Sequence, residues 1–159
     1  GELGGALMFA WTGIFIALTQ GVLVRRLAPR VGELRLVVYG LVLSGGGLAS
    51  LTVAESFEWL FLVSPIIAIG NGVAFPSFTS LFSKACEASR AGELLGESQS
   101  MATTGRILGP IGAGMAFERV SIEAPFLIAA ALMGVALALF WAWRGILLGA
   151  TAAPPPKAV

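Results

Sequence analysis

The sequence predicts an all-α fold, a polytopic membrane helical bundle with five transmembrane helices. Three observations carry this reading. Of the 159 residues, 57% are hydrophobic and only 12% are charged, about half the charged fraction of a soluble domain. The apolar residues fall in blocks of roughly 20, long enough as helix to cross a hydrocarbon core about 30 Å thick. Short connections rich in Arg, Glu, Pro and Gly separate the blocks. The expected spans are residues 4–24, 36–53, 59–82, 97–118 and 124–143, in one bundle over residues 1–150.

In the first span, Gly13, Ala17 and Gly21 recur every four residues and form a small-residue face for close helix packing. Thr12, Thr19 and Gln20 add polarity, and Gln20 reads as structural. Arg25, Arg26, Arg30 and Arg35 follow, with Pro29 and Gly32 expected to break the helix between them. This basic cluster is a topology signal or a lipid headgroup patch. The second span contains Ser44-Gly45-Gly46-Gly47, which inside an apolar block marks close helix contact or a bend. Glu55 and Glu58 make an acidic turn, and Trp59 sits where interfacial aromatics are expected.

The third span holds Pro65 and Pro76 around Ile69-Gly70-Asn71-Gly72. Each proline lacks a backbone donor and crowds the preceding turn, so each predicts a kink. Asn71 contacts substrate or closes an interhelical hydrogen bond, while Phe75, Phe78 and Phe82 read as packing. Residues 84–97 form the longest polar loop. The fifth span is rich in Ala and Leu and ends at Trp141, Trp143 and Arg144, which suit an interface. Residues 151–159, with three consecutive prolines, read as an extended, disordered cytoplasmic tail.

Eight of the basic residues fall in the loops after the first and third spans and after the fifth; Arg119 lies on the opposite side. The positive-inside rule then puts the N-terminus outside and the C-terminus in the cytoplasm. The chain opens at Gly1 with no basic n-region or cleavage site before the first apolar block, and reads as the later part of a longer protein. Its net charge of +1, spread over several loops, gives no signal for nucleic acid. With no histidine and the single cysteine Cys86, neither a metal site nor a cofactor is expected. No phosphate-binding loop and no nucleophile–base pair occurs, so the chain does not read as an ATPase or an enzyme.

The fourth span carries the chemistry. Arg106 lies near its middle, where a lone arginine costs roughly 2.5–3.5 kcal/mol on insertion scales. Small and polar residues fill most of this span, so shielding by neighbouring helices is expected, with Arg106 facing a polar interior. Gln99, Thr103, Arg106 and Pro110 share one helical face. Ser98, Ala102, Gly105, Gly109 and Gly112 form a small-residue stripe beside it, suited to helix contact. The polar face reads as a cavity wall that binds a polar or anionic group, or that pairs with a carboxylate of a partner helix. Alternatively, Arg106 bonds backbone carbonyls at the kink of Pro65 or Pro76. Pro110 is a third candidate kink.

These features, in this order, resemble the C-terminal half of a major facilitator superfamily transporter, from the eighth of twelve helices onward. Gln20-Gly21 and RRLAPRVGELR are similar to that family's repeated cytoplasmic loop, G-x-x-x-D-R-x-G-R-R. Arg30, Gly32 and Arg35 fall on its basic and glycine positions, while Arg25 stands at its leading glycine and Pro29 at its acidic position. Gly70-Asn71-Gly72 with Phe75-Pro76 and Ser80 resembles the bent tenth helix of tetracycline-exporter-type drug:proton antiporters. GELLGESQSMATTGRILGPIGAG, residues 92–114, resembles their eleventh helix.

The resemblance implies a partial major facilitator fold and a secondary transporter that exports small organic molecules by alternating access. Its partners are then the lipid bilayer, a small-molecule substrate and the missing N-terminal half of the same transporter. The membrane implied is a plasma membrane, the inner one in bacteria. Spans one, three and four would line the cavity, with Arg106, Gln99, Thr103 and Asn71 as contacts. Arg25, Arg30, Gly32 and Arg35 would form the cytoplasmic gating loop. The competing reading is a non-transporting accessory or assembly module that keeps a half-bundle.

Overall fold

Apolar blocks in hydrocarbon must satisfy their backbone hydrogen bonds internally, and a helix does so within one segment. The computed structural model describes residues 2–53, 56–85 and 90–152. Glu55, Cys86, Glu87, Lys157 and the three prolines of the tail lie outside the described residues. Among those described there is no strand. The helices are α1 (Glu2–Leu18), α2 (Val24–Val31), α3 (Glu33–Ser50), α4 (Phe57–Ala85), α5 (Ala91–Arg119) and α6 (Ala124–Ala152). A π-helical turn, Thr19–Leu23, joins α1 to α2 without a break, and a 3₁₀ turn, Leu51–Val53, extends α3.

Four of the expected spans are long and apolar enough to cross a membrane: residues 4–31, 33–53, 58–84 and 124–145. The fourth expected span, α5, has the length at 29 residues. Its Gly, Ser, Thr and Gln content leaves it outside that set.

Several boundaries move. Pro29 does not break the chain; it lies inside α2, which runs on to Val31. Gly32 alone makes the joint, at φ 88°, a backbone region that glycine enters without steric cost. The polar loop expected over 84–97 is shorter, because α5 already begins at Ala91. Thr151 and Ala152, assigned to the tail, belong to α6. Neither Pro65 nor Pro76 ends α4, and Pro110 does not end α5. Pro65 has no N–H to offer the Phe61 carbonyl one turn back, and the Trp11 indole Nε1 of α1 donates to that carbonyl at 3.3 Å.

The α3–α4 pair is the centre of the bundle, with α6 against α3 and α1 against α4. Lipid tails are as apolar as leucine, so helices in a bilayer associate through close packing of small residues. Gly40, Ser44 and Gly47 of α3 meet Ile67, Gly70 and Ala74 of α4. A Cβ at Gly40 would lie 2.6 Å from the Gly70 carbonyl oxygen, and one at Gly47 would lie 2.5 Å from Ile67 Cγ1. The Ser44–Gly47 run is therefore a site of close helix contact. Below it, Val37, Leu81 and Phe140 form a buried apolar cluster that brings α6 into the bundle.

Two other small-residue faces find no such partner. A Cβ at Gly13 of α1 or Gly21 of the π turn, or at Gly105, Gly109 or Gly112 of α5, would meet nothing within 4 Å among the described residues. The α5 stripe, expected to pack, is open here. The expected shielding of Arg106 is also absent among the described residues: Arg106 is exposed, and of the described helices α5 touches α6 and, lightly, α4.

Candidate functional site

The site forms where α4 faces α5 beside the end of α1. The π turn lets an extra residue into α1. It buries Thr19, 3% exposed, against Gly72 of α4. There a Cβ on Gly72 would come within 2.9 Å of Thr19 Cγ2. The next residue, Gln20, is exposed and lines two adjoining clefts.

The larger cleft has a volume of about 700 Å³ and runs along α4 from Phe75 to Lys84, facing Leu95, Gln99 and Arg106 of α5. That stretch of α4 is about 13 Å long at 1.5 Å per residue. The smaller, about 240 Å³, joins Gln20, Asn71, Phe75 and Arg106. Arg106 belongs to both. Its guanidinium carbon stands 5.9 Å from the centre of the Phe75 ring, over its face.

Three of the four expected cavity residues are thus brought together: Arg106, Gln99 and Asn71. Thr103 is not; its hydroxyl donates to the Gln99 backbone carbonyl at 2.8 Å and it lines neither cleft. Arg106 makes no hydrogen bond to a backbone carbonyl and no ion pair among the described residues, so the kink-binding alternative finds no support in this geometry. The ring it rests on leaves its five N–H donors available.

Two residues read as structural or as packing belong to the site: Gln20 and Phe75. Their signal was present in the sequence. Gln20 is a polar residue within an apolar helix, and Phe75 lies one helical turn from Asn71.

Of the expected loop residues, Arg25, Arg30 and Arg35 are exposed around the Gly32 joint. The acid at this joint is Glu33, which the sequence reading passed over. Its side chain, 15% exposed, takes a hydrogen bond from Ser80 Oγ and pairs with Lys84 Nζ at 2.8 Å. One carboxylate therefore ties the start of α3 to the end of α4. The described residues contain no cluster that could hold a metal.

Four helices long and apolar enough to cross a bilayer define the class, a polytopic membrane protein. The chain belongs to the Major Facilitator Superfamily, whose family model matches residues 2–158. It is 30% identical over 139 residues to Multidrug resistance protein 1 of Bacillus subtilis (strain 168), covering 87% of this chain and 35% of that protein. It is 31% identical over 126 residues to Quinolone resistance protein NorA of Staphylococcus aureus (strain MRSA252), covering 79% of this chain and 31% of that protein. The chain thus spans about a third of the length of these relatives. No solved structure matches it. Family membership bears out the resemblance read from the loop and helix motifs. The family is one of membrane transporters rather than enzymes.

Proposed function

We propose that this chain supplies the last five helices of a secondary transporter that exports small organic molecules by alternating access. The observation that carries the proposal is the convergence of Gln20, Asn71, Phe75, Gln99 and Arg106, from three helices, on adjoining clefts. Among the described residues the cleft linings offer amides, hydroxyls, an aromatic ring, the Arg106 cation and Lys84, which is paired with Glu33. Such a wall suits cargo that pairs an aromatic ring with a polar or anionic group, the ring against Phe75 and the anion at Arg106. A carboxylate-bearing aromatic drug such as a quinolone, the class in one relative's name, has that chemistry.

In this reading the remainder of a longer transporter packs over the open faces of α1 and α5 and completes the cavity. The basic loops lie in the cytoplasm of a plasma membrane, the inner one in bacteria, with the N-terminal end of α1 outside. Arg25, Arg30, Gly32 and Arg35 form the joint that changes contacts as the two halves rock. Pro65, Pro76 and Pro110 supply the bends that such helices use at membrane depth.

The test is drug accumulation in an efflux-deficient bacterium expressing the full-length gene. Arg106→Ala is expected to restore accumulation of a fluorescent quinolone while membrane abundance stays near wild type. Unchanged export, or abundance that collapses with the substitution, contradicts the assignment.

A further inference from the structure

The arginines at the Gly32 joint do not stand alone. Arg30 and Arg35 line a cleft of about 650 Å³ together with Arg144, which arrives from the far end of α6. Arg30 lies in the last turn of α2 and Arg35 in the first turn of α3, while Arg144 of α6 comes more than a hundred positions later in the chain. Among the described residues, none of them pairs with a carboxylate. Glu33, the acid nearest to them, is engaged on the opposite side of α3 by Ser80 and Lys84. Arg144 is held in place instead by stacking on Trp141, its guanidinium carbon 3.8 Å from the ring centre. Three unpaired guanidinium groups on one cleft call for an anion.

Next to this cleft, toward the membrane interior, lies an apolar crevice between α3, α4 and α6. Within two turns along α3, Val37 and Leu41 face Ala136 and Phe140 of α6 across a cavity of about 480 Å³, whose third wall is α4 with Asn71 and Phe75. From Arg35 to Leu41 the seam descends about 9 Å along α3. A basic cleft at the polar end and an apolar crevice at the deep end match a molecule with an anionic head and a hydrocarbon tail.

We propose that the α3–α6 seam binds one anionic phospholipid, its phosphodiester between Arg30, Arg35 and Arg144 and one acyl chain along Val37, Leu41 and Ala136. The basic end of the site shares no residue with the cargo clefts beside α5, whereas Phe75, from both those clefts, and Asn71, from the smaller one, also line the deep end of the crevice. The lipid would fasten α6 to the Gly32 joint, so the joint's position would depend on the lipid around it. Arg25 and Arg26, equally basic and close in sequence, do not line the cleft and take no part.

The test uses the full-length protein in detergent, titrated with phosphatidylglycerol, phosphatidylcholine or glycerol phosphate, with bound species counted by native mass spectrometry. Saturable binding of phosphatidylglycerol well above phosphatidylcholine is expected. Replacing all three arginines by glutamine should weaken it roughly 100-fold, at about 1 kcal/mol per cation. The three-lysine variant should bind within a few-fold of wild type, and Arg25→Gln/Arg26→Gln should bind as wild type. Ala136→Trp, which fills the crevice and keeps every charge, should weaken phosphatidylglycerol binding if a chain lies there. Equal retention of the two lipids overturns the proposal, as does loss in the Arg25/Arg26 variant equal to that in the glutamine triple. Competition by glycerol phosphate as strong as by the intact lipid overturns it too, since the crevice then holds no chain.

Discussion

A guanidinium over an exposed aromatic face gains about 0.5–1 kcal/mol, far less than a buried ion pair, and keeps its hydrogen-bond donors free. Arg106 is in this position above Phe75. The ring orients the cation without neutralising it, which is what a residue that must bind and release an anionic group requires. In the full-length protein, Phe75→Leu is therefore expected to raise the transport KM about 2–5-fold, the equivalent of that contact. Phe75→Tyr should leave KM near wild type, and unchanged KM in the leucine variant contradicts a positioning role for the ring. Arg106, Gln99 and Asn71 were legible in the sequence because polar groups in apolar helices are costly and so conspicuous. Gln20 was conspicuous for the same reason, but its place on the clefts was not legible, because it depends on a π turn that packs Thr19 against Gly72, 53 positions away.

At the scale of helices, the α3–α4 contact is set by backbone rather than by flexible side chains. A Cβ at Gly70 would come within 2.7 Å of the Ser44 amide nitrogen and 2.8 Å of the Gly40 carbonyl oxygen, so the helices would have to separate to admit it. Gly70→Ala is expected to destabilise the protein by about 1–3 kcal/mol, seen as a lower melting temperature in detergent. A melting temperature at or above wild type contradicts the close contact. The Glu33 tie gives a second, graded expectation. Lys84 is mostly exposed, 62% at its side chain, so Lys84→Ala should cost under about 1 kcal/mol. Glu33→Ala removes the acceptor of both Ser80 and Lys84 and should cost more, about 1.5–3 kcal/mol. Equal losses from the two substitutions contradict the shared carboxylate. Hydropathy located the long apolar helices, and the Ser44–Gly47 run pointed to close contact. The Glu33–Lys84 pair left no trace in local pattern, since pairing across 51 residues is decided by how α3 and α4 pack. Pro29 misled for a related reason: it is the sixth residue of α2, where the helix absorbs one missing donor and continues to Val31.

At the scale of the molecule, the described bundle is closed on one side and open on the other. Its α3–α4–α6 side packs through glycines and serines, while α1 and α5 present small-residue faces with nothing against them. The polar, arginine-bearing α5 is the helix least suited to lipid on all sides, yet it has the least cover in this chain. Together with a match to about a third of the length of its relatives, this arrangement supports one wall of a two-walled cavity. In the full-length protein, Gly109→Leu should therefore impair stability or transport, although a Cβ at Gly109 meets nothing within 4 Å among the described residues. Full stability and activity of that variant contradicts the packing of another helix there. The sequence carried the family and the helices of this half. It could not carry the packing of α5, whose partners on this reading lie on other helices. The most direct test is substrate flux in liposomes, comparing residues 1–159 alone with the full-length protein. The account expects saturable, coupled flux from the full-length protein and none from this chain; coupled uptake by the chain alone would contradict it.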